Sequence, residues 1–237
     1  MSELKFLLDP ATAARVCDWA RTHLERDPHG GGPCGDEYRT STLYFDTSGR
    51  DVFHRRDSYG RSKYRIRRYD DQDIVFLERK LRTSAFLNKR RTAMALSELA
   101  RIGHAGAPWT GSWFDERLTL RDLRPVCQVS YNRLARISAL PSVPLRLTLD
   151  TNIRALAAAR VGFNASQGRP ICEHQVVLEM KYPIASPAML KELIQEFRLI
   201  PARVEVPHGR RCARPDSGGN SCRRGHRGPR RDICLIS

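Results

Sequence analysis

A run of alternating cations at residues 61–69, with the sequence RSKYRIRRY, places the strongest constraint on how this chain can fold. In a β-strand, successive side chains point to opposite faces, so every second residue shares a face. The residues that would share a face here are Arg61, Lys63, Arg65 and Arg67. Like charges in a row repel one another and gain nothing from packing. Such a row is typical either of a solvated outer face or of the lining of a site that holds a strongly anionic ligand.

The same spacing of charged residues recurs in other segments that have strand patterns. The residues that would share faces are Glu3 with Lys5, Glu78 with Lys80, Tyr131 with Arg133, Arg146 with Thr148 and Asp150, and Glu179 with Lys181. Any one of these segments alone would be explained by a half-buried strand whose charges lie in water. Their recurrence, with mixed signs beside an all-cationic strand, predicts a sheet that is curled around a polar interior.

The order of strand and helix patterns predicts an α+β fold: an antiparallel β-barrel that forms a tunnel, with flanking α-helices. The strand patterns are residues 3–8, 40–46, 61–69, 74–80, 126–133, 145–150 and 175–182. The helix patterns are residues 10–26, 92–102 and 187–198, and the outward apolar residues of the barrel would pack against them. The acidic turn at residues 70–73 predicts a hairpin between its two flanking strands.

The composition favours an anionic partner and a reducing compartment. The chain has 41 Lys and Arg residues against 26 Asp and Glu, a formal net charge of +15. Such a balance is typical of proteins that bind nucleic acid, phosphate-rich small molecules or acidic membranes. Its 7 cysteines form no C-x-x-C pair, which argues against a disulfide framework and a zinc ribbon. Without a signal-peptide pattern or a long apolar run, we expect a cytoplasmic protein with no membrane span.

The last 30 residues differ in kind from the rest of the chain. Residues 208–237 are rich in Arg, Gly, Ser and Pro and show no hydrophobic periodicity. Such a composition cannot bury enough apolar surface to offset the entropy of ordering. We therefore expect one domain over residues 1–207, followed by a basic, disordered tail.

The predicted polar interior suits the binding of polyphosphate. Arg and Lys bind the several oxygens of a phosphate chain, and Arg often does so with two hydrogen bonds. Carboxylates do not bind phosphate directly, but they hold divalent cations that bridge to phosphate oxygens. The candidate carboxylates are Glu3, Glu78, Asp150 and Glu179.

Six segments, in this order, resemble a known family. They are ELKF at 3–6, STLYFDT at 41–47, KYRIRRY at 63–69, LERK at 77–80, LRLTLD at 145–150 and VLEMKYP at 177–183. Together they cover about residues 1–200 and resemble the VTC domain, the catalytic domain of polyphosphate polymerases. That domain is part of the triphosphate tunnel metalloenzyme (CYTH-like) superfamily.

The resemblance implies an ATP-dependent polyphosphate polymerase, with Mn²⁺ or Mg²⁺ as cofactor and with ATP and polyphosphate as partners. It would transfer the γ-phosphate of ATP to a growing chain inside the tunnel and release ADP. By position, the catalytic residues would be Lys63, Arg65, Arg67, Lys80 and Lys181. The substrate-binding residues would be Lys5, Arg61, Lys89, Arg133 and Arg146. The metal ligands would be Glu179 chiefly, with Glu78 and Asp150.

Other functions stay open at this point. The same tunnel would serve a triphosphatase that hydrolyses inorganic or organic triphosphate. An inactive polyphosphate- or nucleotide-binding module is a further alternative, because the family's Ser-Lys-Tyr after the last helix is missing beyond residue 200. Nucleic-acid binding through the tail ranks low, because the one-face charges lie outside the tail. A membrane-protein partner and the oligomeric state also stay open.

Overall fold

The computed structural model describes residues 2–83, 86–104, 106–139, 144–166, 168–183 and 187–202. Its strands are β1 (Ser2–Leu8), β2 (Glu25–Arg26), β3 (Glu37–Asp46), β4 (Ser62–Tyr69), β5 (Ile74–Arg82), β6 (Leu87–Ala95), β7 (Arg124–Ile137), β8 (Arg146–Ala157), β9 (Arg169–Pro170) and β10 (Val176–Tyr182). Its α-helices are α1 (Pro10–His23), α2 (Ser112–Leu120) and α3 (Ala188–Glu196). Two 3₁₀ helices span Asp57–Arg61 and Leu96–Arg101.

All the main strands lie in one antiparallel sheet with the order β1-β10-β8-β7-β3-β4-β5-β6. The short strands β2 and β9 pair with β7 and β8. Strands β3 to β6 are neighbours both in sequence and in the sheet, whereas β1 pairs with β10, near the other end of the described chain. The fold is therefore the α+β, antiparallel architecture that the sequence predicts.

The sheet is curled into a tunnel. Within the described ranges no backbone pairing joins the two edge strands, β1 and β6. Electrostatic interactions nevertheless link Lys63 of β4 with Lys5 of β1, and Lys80 of β5 with Glu3 of β1. Side chains from the two ends of the sheet thus face each other across a common interior, which we call the lumen.

Two apolar cores cover the outer face of the sheet and hold its curvature. Helices α1 and α3 pack on β1, β8 and β10, where Phe6, Leu147 and Leu178 are fully buried. On the other side, Phe114 of α2 packs against outward residues of β4 and β5, including Ile66 and Leu77. Because each strand buries its outward residues in these cores, alternation forces the intervening charged residues into the lumen.

Helix α1 begins where the sequence predicts. Asp9 is the N-cap, and its side chain accepts a hydrogen bond from the backbone N–H of Thr12 at 2.9 Å. Pro10 occupies the first turn, where its missing N–H costs nothing. The helix ends at His23, three residues before the predicted boundary.

The predicted helix at residues 92–102 is wrong. Strand β6 runs to Ala95, and a 3₁₀ helix follows at Leu96–Arg101. The helix-favouring residues of this segment are overridden because β6 pairs with β5 continuously from Arg82↔Leu87 to Ile74↔Ala95.

Three other expectations concern the start of β4, the C-terminal tail and the absence of a membrane span. Arg61 lies in the 3₁₀ turn before β4 and is exposed, so the strand begins one residue later than predicted. The expected tail at residues 208–237 lies outside the described residues. Among the described residues no helix has both the length and the apolar character needed to cross a membrane.

The carboxylate of Asp36 joins α1 to the sheet. It is fully buried, and its Oδ2 lies 2.6 Å from Nη2 of Arg136 on β7 and 3.1 Å from Nε of Arg21 on α1. Arg136 also donates a hydrogen bond to the carbonyl of Leu24 at 3.2 Å. One buried charge thus fixes how the helix lies on the sheet.

Replacing Asp36 with alanine should lower the free energy of unfolding by about 3–5 kcal/mol, because it leaves the buried Arg136 guanidinium without its counter-charge. Urea unfolding followed by circular dichroism measures this loss. The matched control is Arg124→Ala, which breaks an exposed pair with Asp122 and should change stability little. Equal losses in the two variants would contradict the role given to Asp36.

Candidate active site

The first half of the site lies on β1 and β10. The backbone register places Glu3 opposite Lys181 and Lys5 opposite Glu179. Each charge therefore has an opposite charge as its neighbour, both along its own strand and across to the paired strand. The Lys5 ammonium lies 3.2 Å from a carboxylate oxygen of Glu3 and 3.2 Å from one of Glu179. The Lys181 ammonium also contacts Glu179, and it lies 3.9 Å from Glu3.

Glu179 stays ionised in this cluster. Burial raises the pKa of its carboxyl group, but the positive charges of Lys181, Lys5 and Arg133 outweigh burial and leave the pKa well below its ordinary value. Burial lowers the pKa of the Lys181 ammonium, although the nearby carboxylates of Glu179 and Glu3 oppose that effect. The cluster therefore presents two carboxylates held by two ammonium groups.

The second half of the site lies on β4, β5 and β6. The register places Lys63 opposite Lys80, and Lys80 opposite Lys89, so three lysines form one row across three strands. In the next row, Glu78 lies between two guanidinium groups. Its carboxylate oxygens lie 2.6 Å from Nε of Arg65 and 3.3 Å from Nε of Arg91.

The row of lysines is electrostatically crowded. Burial, together with the charges of Lys80, Arg55 and Lys5, lowers the pKa of Lys63 to about 8. Burial also lowers the pKa of Lys80, with Glu3 opposing the shift. Because buried or half-buried cations lie side by side here, an anion placed between them would be stabilised.

Buried arginines continue the cationic lining on β4, β7 and β8. Arg133 makes two hydrogen bonds of 2.6 Å to the two oxygens of Asp150. Arg67 is buried, and its Nε donates to the hydroxyl of Thr42 at 3.3 Å. Arg146 lies at the rim, 2.9 Å from a carboxylate oxygen of Asp27.

Four buried hydroxyls in the lumen have no hydrogen-bond partner among the described residues. They belong to Thr40, Tyr44, Tyr131 and Thr148. All four residues lie on the same face of their strands as the lumen charges, as the pairing of Thr40 with Tyr131, of Tyr44 with Arg65 and of Thr148 with Glu179 shows. Because an unsatisfied buried hydroxyl is costly, these groups are ready to bind a ligand or water.

The structure brings together nearly all the residues that the sequence nominates. Those on the lumen face are Lys5, Lys63, Arg65, Arg67, Glu78, Lys80, Lys89, Arg133, Arg146, Asp150, Glu179 and Lys181. Arg61 is the exception, because it lies outside the strand and is exposed.

The sequence reasoning missed Arg91, which contacts Glu78. It also missed Thr40, whose unpaired hydroxyl faces the lumen. The period-two spacing of Lys89 and Arg91 was a usable signal, but it was hidden by the prediction of a helix at 92–102.

The carboxylates differ in how well they fit a divalent metal ion. Both oxygens of Asp150 and both of Glu78 are taken up by guanidinium groups, which leaves them little room to bind a metal. The oxygens of Glu179 and Glu3 also contact cations, but these are the ammonium groups of Lys5 and Lys181, which lie on flexible chains and can make way for a metal ion more readily than a paired guanidinium. The hard oxygen donors of both glutamates suit Mg²⁺ or Mn²⁺.

No group of three or more His, Cys, Asp or Glu side chains in the described part of the chain could hold a metal ion by itself. This donor set fits an ion that binds one or two carboxylates and completes its coordination with water and substrate phosphates. Glu179, with Glu3 beside it, is the best candidate for such a site.

Comparisons with known proteins agree with the fold. The family model of the VTC domain matches residues 1–203. A Bacillus halodurans protein described provisionally as an adenylate cyclase is 15% identical, with a TM-score of 0.53 over 86% of this chain and 92% of that chain. At this identity the likeness shows the fold alone. No curated protein matches the sequence significantly.

Two other solved structures have lower scores. A protein from Pyrococcus horikoshii is 14% identical, with a TM-score of 0.44 over 84% of this chain and 92% of that chain. A Hippeastrum protein, described as an adenylyl cyclase candidate with a dominant triphosphatase activity, is 13% identical, with a TM-score of 0.43 over 82% and 84%. Both likenesses are too weak to support an argument.

The lowered pKa of Lys63 predicts that an anion binds together with a proton. At pH 8.5 the Lys63 amine is mostly neutral in the free protein, since its pKa is about 8. A bound tripolyphosphate would raise that pKa, so Lys63 should take up most of one proton. Calorimetric titration in buffers of different ionisation enthalpy measures the uptake.

The control for this measurement is Lys63→Arg, which keeps the charge but does not titrate near pH 8.5. It should bind tripolyphosphate with less proton uptake than the parent protein. The same uptake in both proteins would show that the titrating group is not Lys63.

Proposed function

The chain belongs to the VTC domain family, and from that premise we propose that it is an ATP-dependent polyphosphate polymerase. It transfers the γ-phosphate of ATP to the end of a growing polyphosphate chain inside the tunnel, with Mn²⁺ or Mg²⁺ as cofactor. The catalytic group comprises Lys63, Arg65, Arg67, Lys80 and Lys181, and Lys5, Lys89, Arg133 and Arg146 bind the phosphate chain.

The observation that carries the proposal is the excess of positive charge in the lumen. Ten cations, counting Arg91, share the lumen face with four carboxylates. Two of those carboxylates, Glu78 and Asp150, are held by arginines. On β4, β5 and β6, the described register sets three lysines directly side by side. A polyphosphate would supply negative charge where the sheet concentrates positive charge.

This arrangement supports phosphoryl transfer without a nucleophilic side chain. The terminal oxygen of the polyphosphate acceptor attacks the γ-phosphorus, and the bond from that phosphorus to the bridging oxygen of ADP breaks. The protein mainly has to position the two phosphate chains and neutralise their charge. Lys63 and Lys80 would face the transferred phosphoryl group, while Arg65 is held in place by Glu78. A bound metal ion would neutralise phosphate charge further.

A triphosphatase is the second candidate, and a specific observation favours it. The unpaired hydroxyls of Thr40, Tyr131 and Thr148 line the same lumen and could orient a water molecule. Water would then replace the polyphosphate end as the attacking group, and the products would be ADP and free phosphate.

Incubation of the purified protein with ATP and Mn²⁺ tests the proposal. A gel stained for polyphosphate should show a ladder. Lys63→Met and Glu179→Gln should each reduce the rate about 100-fold or more. The first removes a cation that stabilises the transition state, and the second weakens the carboxylate that orients Lys5 and Lys181 and that would hold the metal ion. The matched controls are Lys191→Met and Glu173→Gln, whose exposed side chains lie outside the lumen and should leave the rate unchanged.

The products decide between the alternatives. Free phosphate without a ladder would replace the polymerase with a triphosphatase. Tripolyphosphate binding without any turnover would indicate a binding module. Full activity in Lys63→Met would contradict the placing of the reaction in the tunnel.

A further inference from the structure

The lumen face changes from cationic to aromatic along β3, β4 and β5. The aromatic residues are Tyr38, Tyr69 and Phe76. The Tyr69 ring lies 5.6 Å from the Tyr38 ring and 5.6 Å from the Phe76 ring, measured between centroids, with edge-to-face packing. Tyr69 and Phe76 are only half-buried, so part of this aromatic surface is open.

Small residues on the edge strand leave part of this surface open. Phe76 is paired with Ala93 on β6, and Ile74, which is 47% exposed, is paired with Ala95. Both alanines are exposed. No described strand lies beyond β6 to cover them. An open apolar surface beside a charged cavity is a typical place for the apolar part of a ligand.

Arg91 lies over this surface. Its guanidinium carbon is 3.7 Å from the centroid of the Phe76 ring and 5.5 Å from that of Tyr69. Its Nε is 3.3 Å from the Glu78 carboxylate, which fixes the plane of the group, yet the side chain is 47% exposed. A fixed, planar and partly exposed guanidinium next to aromatic rings is a surface on which another planar group can stack.

The distance from the aromatic residues to the lysine row fits a nucleotide. Phe76, Glu78 and Lys80 follow one another on the lumen face of β5. At about 3.3 Å per residue, Phe76 lies roughly 13 Å from Lys80 along the strand. Arg67 is paired with Phe76 and Arg65 with Glu78, so cations lie along the whole interval. An extended nucleoside triphosphate spans a comparable length from its base to its terminal phosphate.

We propose that Tyr69, Phe76 and Arg91 form a shelf that binds the planar base of a nucleoside triphosphate whose phosphates lie in the tunnel. This inference rests on the proposed function and deepens it, because it assigns the part of the protein that distinguishes ATP from inorganic triphosphate. Stacking of one base on such a surface should increase affinity roughly tenfold to a hundredfold.

Titration of the full chain with a non-hydrolysable ATP analogue and with inorganic tripolyphosphate tests the shelf. In Phe76→Leu, affinity for the analogue should fall about tenfold or more, whereas affinity for tripolyphosphate should change less than about twofold. The matched control is Phe53→Leu, an aromatic residue outside the sheet that should alter neither affinity. Stacking also predicts nuclear Overhauser contacts between the adenine protons and the side-chain protons of Tyr69 or Arg91 in the complex.

The outcomes separate this inference from the proposed function. If Phe76→Leu weakens both ligands equally, or if the adenine protons show no Overhauser contact with Tyr69 or Arg91 in the parent complex, the shelf is wrong while the phosphate site stands. If the parent protein binds neither ligand, both the shelf and the proposed function are overturned.

Discussion

Repulsion between like charges inside the curled sheet is the constraint on which the rest of the structure depends. Lys63, Lys80 and Lys89 lie in one register, and burial deprives the first two of part of their hydration. No such row would form by its own interactions, since cations directly opposite one another destabilise strand pairing. Burial of apolar side chains in the two cores on the outer face supplies the free energy that offsets this repulsion. The packing that stabilises the fold therefore also holds the site in its strained, ligand-ready state.

The four lumen carboxylates moderate that repulsion in two different ways. Glu78 and Asp150 accept hydrogen bonds from guanidinium groups at distances down to 2.6 Å, and these directional contacts fix the orientation of Arg65 and Arg133. Glu179 is held by the ammonium groups of lysines, which are compact charges on flexible chains. The pairs Arg65–Glu78 and Arg133–Asp150 are therefore rigid parts of the lumen lining. The proposed function requires the cluster around Glu179 to exchange partners when a phosphate chain and a metal ion bind.

Much of the lumen lining was predictable because the period of a strand is short and strict. Once each segment is recognised as a strand, the sequence alone shows that Glu78 shares a face with Lys80, and Glu179 with Lys181. The pairing between strands was not predictable in the same way. That Lys5 faces Glu179 depends on a register between the two ends of the domain, which no local pattern encodes. The C-terminal part of strand β6 was missed because its residues favour a helix by propensity. Pairing with β5 at the edge of the sheet overrides that propensity and makes them a strand.

The pairing of β1 with β10 has a consequence for how the protein forms during synthesis. Strand β1 is made long before its partner β10, which begins at Val176 and emerges from the ribosome after the other main strands of the sheet. Strands β3 to β6 can form as successive hairpins as they appear, so the half of the site around Glu78 can assemble early. The half around Glu179 requires closure of a very long loop, which slows folding in proteins dominated by non-local contacts. A nascent chain would thus carry its lysine row exposed for some time, and cellular polyanions could act on it as folding aids or as traps.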